Sequence, residues 1–379
     1  MLRPQDYRFI ALGGGNETGG SCYALKMGGS VILLDTGIRY SADYSLRVPD
    51  VSPLYSDWNL DGLWELDALI FSHAHLDHTG ALPVFMRNLH GVSIYSSEAT
   101  PDMLSALYHD NFFNGLKRDI ASMSDTFITL KYGCAHSIKD FSVTLYPAGH
   151  MPGAAMTLIE NEDCKILYSG DFCMFDQFTV KGAEIPEMKV DTLICESTHG
   201  YGTSPGGLNL SHTAAKINTL LAHTDVFTCT VRNSGKAAEI SAAVSECIAQ
   251  GLIPEIDIWI DTGCEASCRA CEKHGTRQIF SEHVRPLERY SYGLKGMIIT
   301  GRPSGGLYDV YLNMSNHADS WEILRLIQRT KPDRVIFVHG VPSENGTHNI
   351  INEVRERFGT SIEVIHSTNL QEINLLREC

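Results

Sequence analysis

The sequence predicts an α/β protein in which two β-rich parts, residues 1–204 and 313–379, enclose a smaller α/β insertion at 205–312. Three observations predict this. Short apolar runs rich in β-formers dominate the first part. Strand patterns then alternate with helix patterns for about a hundred residues, the signature of a parallel sheet. Beyond His317, a helix and two strands fit a return of the chain to the first unit.

In the first part, Phe9–Leu12, Ser30–Leu34, Ala68–Ser72 and Gly91–Tyr95 are bounded by Gly, Asn, Asp or Ser clusters, the residues that turns demand. Helix-period segments follow at Ala81–Leu89 and Pro101–Asn114, the second with Thr100 as its N-cap and Pro101 at the first helical position. Strands resume at Phe141–Pro147, Met156–Glu160, Lys165–Ser169 and Thr192–Cys195. The insertion alternates: helix Ser211–Ala222, strand Val226–Val231, helix Lys236–Gln250, strand Ile256–Asp261, helix Ala266–His274, strand Gly296–Thr300. In the returning part Asp319 caps a helix over Ser320–Thr330, with Glu322 completing a capping box. Arg334–Val338 reads as a strand, Asn349–Phe358 as a helix and Ser361–Ile365 as a final strand.

Composition sets outer bounds. Apolar residues make up 43% and charged residues 20% of 379, a globular balance. No apolar run approaches the ~20 residues of a membrane span. Nothing near Met1 directs export. Eleven cysteines without paired spacing read as reduced thiols, so a cytoplasmic location is expected. A net charge of −15 argues against a broad basic face for nucleic acid. A metal centre would supply its own local positive charge, so such a substrate is not excluded.

The chemistry concentrates in Ser72-His73-Ala74-His75-Leu76-Asp77-His78-Thr79-Gly80, after the apolar run that ends at Phe71. Imidazole and carboxylate are the ligands that hold zinc while leaving a coordination position open. The spacing lets His73 and His75 face one metal while Asp77 and His78 turn to a second. One loop cannot fill two coordination spheres, so further ligands are expected from strand ends elsewhere: His150, Asp171 and His339. The glycine-rich Gly13–Gly20 precedes a strand pattern rather than a helix, which favours a tight β-loop over a phosphate cradle.

With Asp35, these motifs resemble the metallo-β-lactamase superfamily. Glu196 in Cys195-Glu196-Ser197-Thr198, His317 in Ser315-Asn316-His317-Ala318-Asp319, and His339 resemble the extra motifs of its β-CASP branch. That branch comprises nucleic-acid-cleaving enzymes, among them ribonuclease J and the endonuclease of pre-mRNA 3′-end processing. The resemblance implies an αββα sandwich with an inserted cap, and two Zn²⁺ ions, Mn²⁺ being compatible with the same ligands. His73, His75 and His150 would hold one ion and Asp77, His78 and His339 the other, with Asp171 between them. Asp35 would orient a ligand histidine, although its strand-end position also suits a turn residue. The expected activity is cleavage of single-stranded RNA by a metal-activated hydroxide. His317 is the implied general acid, Glu196 its partner, and Asp77 counts among the catalytic residues. A histidine at position 339 is similar to the RNA-acting members.

The insertion is shorter than the family's usual cap, so a more open groove is expected. Arg232 and Lys236 sit where a strand meets a helix and suit either a phosphate contact or a solvated surface. Cys264, Cys268 and Cys271 have a spacing that admits an iron–sulfur loop, although the segment also fits a helix of the cap. A DNA exonuclease and a thioester- or lactam-cleaving hydrolase are the competing activities, with a non-catalytic scaffold third.

Overall fold

The computed structural model describes residues 6–40, 46–109, 126–200, 207–231, 235–288, 293–302, 308–341 and 349–376. Seven strands form the first sheet, in spatial order Glu372–Asn374, Tyr7–Gly13, Cys22–Met27, Ser30–Leu34, Ala68–Ile70, Ile94–Ser97 and Phe127–Leu130. The second has the order Glu363–His366, Arg334–Val338, Thr192–Glu196, Lys165–Tyr168, Ala155–Glu160, Phe141–Pro147 and His136–Ile138. The first four strands of this second sheet run parallel, which is where the chain crosses over, and the rest form antiparallel hairpins.

Alternation along each strand sends side chains to opposite faces, and the two faces meet different neighbours. Phe9, Tyr23, Leu25, Ile32 and Ile70 of the first sheet pack on Val143, Leu145, Ile159, Ile166 and Ile336 of the second. Across this interface the Tyr23 and Tyr168 rings meet edge-on, 5.5 Å between centroids. The outward residues Ile10, Leu12, Leu33, Leu69 and Phe71 join a second core with helical Met103, Leu104 and Leu107, as do Leu167, Leu193 and Phe337 with Ile323, Leu326 and Ile327. The result is four layers, helix–sheet–sheet–helix, the expected sandwich. The helix Ser320–Thr330 starts as its sequence dictates. Asp319 accepts from Glu322 N at 3.0 Å and Glu322 accepts from Asp319 N at 3.0 Å, a complete capping box.

A third sheet, all parallel, has the order Val284–Pro286, Ile258–Ile260, Gly296–Thr300, Val226–Thr230 and Asp309–Val310. The helices Leu210–Leu221, Gly235–Ala249 and Thr262–His274 accompany it. Polar bonds tie it to the sandwich, among them Thr276 N donating to Thr179 O at 2.9 Å. Buried Glu239 accepts hydrogen bonds from Phe178 N, Thr179 N and Thr179 Oγ1, at 2.6–2.9 Å. Asp102, on the helix Thr100–His109, accepts from Lys273 and His274 at 2.5 and 2.6 Å.

Two expectations need correction. Thr100 lies inside its helix rather than capping it, because its hydroxyl is engaged with Ser97 Oγ and Gly153 O. Residues 110–114 of that segment lie outside the described residues. Ala81–Leu89 breaks into a short α-turn, Leu82–Phe85, and a 3₁₀ turn, Met86–Asn88. Of the two readings of Cys264, Cys268 and Cys271, the cap helix is the one found; their i, i+4, i+7 spacing places them on one buried face of the helix Thr262–His274, against the core. Among the described residues, no helix is long and apolar enough to cross a membrane.

Candidate metal centre

The sheets' C-terminal strand ends and the loops beyond them carry the reactive residues. His73 and His75 follow the strand Ala68–Ile70, and Asp77 and His78 occupy the one-turn helix Leu76–Thr79. That segment is laced to the next loop: Thr36 N donates to His78 O, Ile38 N to Leu76 O and Ser21 N to Asp77 O, at 2.7–3.1 Å. A Cβ on Gly37 would collide with the Asp77 backbone, so only glycine lets the loops approach this closely. His150, Asp171 and His339 follow Phe141–Pro147, Lys165–Tyr168 and Arg334–Val338, and Glu196 ends its own strand.

Among the non-glycine residues with left-handed backbone, two belong to this cluster: Asp35 at φ 58° and His339 at φ 51°. Such geometry costs about 1 kcal/mol or more each and persists where surroundings over-determine it. Asp35 is over-determined. Its carboxylate accepts from Ser72 N, Ser72 Oγ, Tyr168 Oη and His78 Nδ1, all at 2.7–2.8 Å.

The histidines are oriented by the hydrogen bonds they make outward. His78 Nδ1 donates to Asp35, and His150 Nδ1 to Asn316 O at 2.7 Å. Ser72 Oγ already donates to Asp35, so it accepts from His73 Nδ1, 3.1 Å away. Thr198 Oγ1 donates to His339 O and accepts from His339 Nδ1 at 2.9 Å. Each of these rings is left with Nε2 facing inward, the tautomer a metal ligand needs.

Inward, the ring nitrogens crowd against one another and against a carboxylate. His73 Nε2 and His150 Nε2 lie 3.1 and 3.0 Å from His75 Nδ1. Three imidazole nitrogens converging so closely match the ~3.3 Å ligand–ligand edge of a tetrahedral zinc site. Neither Asp171 carboxylate oxygen makes a hydrogen bond, nor does His339 Nε2, and all three atoms are buried. Ring nitrogens of His73, His78, His150, His317 and His339 surround Asp171 at 3.3–3.7 Å. A buried carboxylate left bare is costly, and a shared cation resolves it. The donors also fall into three compact groups: His73, His75, His150 and Asp171; Asp77, His78 and His339; and Asp171, Glu196, His317 and His339. The residues present fit a divalent metal centre.

Burial pushes the pKa of His73, His75 and His150 down, to about 4 for His75, so their lone pairs stay available. Burial opposes charge on His78 and His317 too, but adjacent carboxylates outweigh it. Asp171 and Asp35 raise His78, and Glu196 with Asp171 lifts His317 to about 9. Burial also works against ionisation of Asp77, and the His339 and His78 rings hold its carboxyl well below the usual range.

His317 stands apart from the buried cluster, its side chain 20% exposed where Asp171 is 1%. His317 Nδ1 donates to Glu196 Oε2 at 2.9 Å, while Glu196 Oε1 accepts from Phe172 N at 2.7 Å. Lys236 reaches the loop before His317, donating to Met314 O at 3.3 Å. Arg232 lies outside the described residues. Sequence reasoning missed the supports: Ser72, Tyr168, Thr198, Asn316 and His199, which bonds Ser315 Oγ at 2.7 Å with its ring 6.0 Å from His317. Their proximity to the singled-out motifs was the available signal for all but Tyr168.

Known protein families and proteins resemble this chain. Residues 15–173, which include His73 through Asp171, match the model of the metallo-β-lactamase superfamily. Residues 310–350, with His317 and His339, match the Zn-dependent metallo-hydrolase RNA specificity domain. The chain thus combines a stretch similar to the metallo-β-lactamase superfamily with a second one similar to that RNA specificity domain. It is 34% identical to Endoribonuclease YSH1 of Yarrowia lipolytica over 52% of its own length and 24% of that protein's. It is 32% identical to Probable RNase MJ4 of Methanocaldococcus jannaschii over 52% of its length and 46% of the other's. Within the superfamily, the paired domains and these likenesses fit the β-CASP branch. The matches span about a quarter of the fungal relative and under half of the archaeal one. A solved structure of a protein of unknown function from Enterococcus faecalis V583 shares the fold, with TM-score 0.60 and 14% identity over 97% of this chain and 99% of that one.

Proposed function

We propose that the chain is a metal-dependent phosphodiesterase that cleaves single-stranded RNA, with His317 as the general acid. The observation that carries this reading is the His317–Glu196 pair, set at the exposed edge of a buried histidine–carboxylate cluster. Two Zn²⁺ ions are the proposed occupants, one held by His73, His75 and His150 and the other by Asp77, His78 and His339, with Asp171 reaching both. When bound, such ions supply a hydroxide at neutral pH and offset charge on the phosphate.

The chain's own residues do the rest. Glu196 binds the Nδ1 proton of His317 and fixes the ring, which leaves Nε2–H for the departing oxygen. Because the neighbouring carboxylates keep the ring protonated up to about pH 9, it is charged across the neutral range. Asp35 pins His78, Thr198 pins His339 and Asn316 pins His150, so the ligand set needs little rearrangement.

The test is cleavage of 5′-labelled single-stranded RNA and DNA of matched sequence by metal-replete wild type, Asp171→Ala and His317→Ala. RNA cleavage that both variants lose supports the reading. No cleavage of either strand by wild type overturns it, and cleavage of DNA alone reassigns the substrate.

A further inference from the structure

Outside the metal centre, two adjoining surface grooves of about 390 and 470 Å³ share Trp321, Arg325 and Arg329. The first is also lined by Lys331 and Arg357, and the second by Phe175. The two aromatic rings are unusually open for their size, Trp321 at 50% and Phe175 at 51% exposure. The Arg325 guanidinium lies over the Trp321 ring, 5.2 Å from its centroid.

Charge is the second observation. Four cations line these grooves against two carboxylates, Glu184 and Glu187. None of the four forms an ion pair among the described residues, and Arg329 Nε is buried without an acceptor. In a chain of net charge −15, an unneutralised basic stripe departs from the general balance of the surface.

The stripe is also connected to the chemistry. Phe175 follows Asp171 by four residues and Trp321 follows His317 by four. Met174 N donates to Glu322 Oε1, which fastens the loop carrying Phe175 to the first turn of the helix carrying Trp321. Trp321, Arg325 and Gln328 then run along the exposed side of that helix at i, i+4 and i+7.

We propose that these grooves form an accessory binding track for single-stranded RNA outside the metal centre, with bases stacked on Trp321 and Phe175 and phosphates met by Arg325, Arg329, Lys331 and Arg357. Open aromatic faces interleaved with cations are the recognition chemistry of unpaired strands, because a base must leave its own stack to lie on a side-chain ring. The track rests on the RNA reading of the metal centre and extends it: strands longer than the centre itself gain affinity.

Binding is measured with the full-length Asp171→Ala protein, which removes turnover, and a fluorescein-labelled oligouridylate thirty-mer. Trp321→Ala is expected to weaken binding about tenfold, the effect of losing one stacked base. Arg325→Ala with Arg357→Ala is expected to lower the slope of log affinity on log salt by about 1.4, at roughly 0.7 per released counterion. With Asp171 restored, both variants cleave an oligouridylate tetramer at the wild-type rate, which also shows that they fold. Binding of the thirty-mer equal to that of the parent in both variants overturns the track. So does an equal loss of tetramer and thirty-mer cleavage, which would place these residues in the centre or in folding. Wild type that binds the thirty-mer through Trp321 yet cleaves no RNA leaves the track standing and removes the nuclease reading instead.

Discussion

The metal centre and the five-stranded insertion are held in opposite ways. Around the centre the outward-facing polar atoms are tied: Asp35 alone accepts four hydrogen bonds, and four of the histidine rings are fixed through their outer nitrogens. The insertion meets the sandwich through fewer polar bonds, chiefly buried Glu239 and the exposed Asp102 pairing with Lys273 and His274. Chemistry that tolerates little displacement sits on strand ends braced by buried charge, whereas a unit that only covers or guides can be fastened at few points.

Substitutions sharpen that contrast, the largest effects falling on the centre. Asp171→Ala removes the carboxylate that takes part in two of the three donor groups and, on the proposed reading, is expected to reduce RNA cleavage by about 10³-fold or more, with metal content falling by elemental analysis. His317→Ala keeps its metal but loses about 10²–10⁴-fold in turnover, as expected for a general acid. Zinc loss in that variant would move His317 into the ligand set. Asp35→Ala unpins His78 and is expected to lower metal affinity about 10–100-fold in competition with a chromogenic chelator.

The fourth test is read in pH. Carboxylate neighbours raise His317 to about 9 from 6.5, so its charged form persists below pH 9 and is lost above it. Glu196→Gln removes the larger of these neighbours, so the alkaline limb of the rate profile moves down towards 6.5. Turnover at pH 8 then falls roughly tenfold, with little change at pH 6. An unmoved limb would mean that the limb reports another group. The smallest effect lies in the insertion. Glu239→Ala leaves the donors at Phe178 and Thr179 unpaired and costs about 1–3 kcal/mol in urea unfolding, with the metal content intact.

Much of the centre was legible in the sequence, since metal chemistry restricts residue type: His73 to His78, His150, Asp171 and His339 announce themselves by kind and by strand-end position. Asp319 with Glu322 similarly announced a helix start. Three-dimensional supports were less legible. Tyr168 reads as an ordinary strand residue until its hydroxyl is seen on Asp35, and no local pattern foretells the left-handed backbone of Asp35 or His339. Cys264, Cys268 and Cys271 left two readings open, because helical spacing of small buried residues imitates ligand spacing. The Trp321–Arg325 stripe was hidden for a related reason: on an amphipathic helix, a tryptophan next to a cap suggests core before surface.

One consequence concerns the order of synthesis. His339 N donates to Gly14 O at 2.7 Å, and the strand Glu372–Asn374 pairs with Tyr7–Gly13. The cluster that begins at Asp35 therefore closes only when residues three hundred positions later have emerged and folded back. A nascent chain holding the His73–His78 loop alone has thiols, imidazoles and carboxylates but no closed cage. The donor set is thus incomplete in the growing polypeptide until these late residues are laid down, and a chain broken off before His339 lacks both that imidazole and its tie to Gly14.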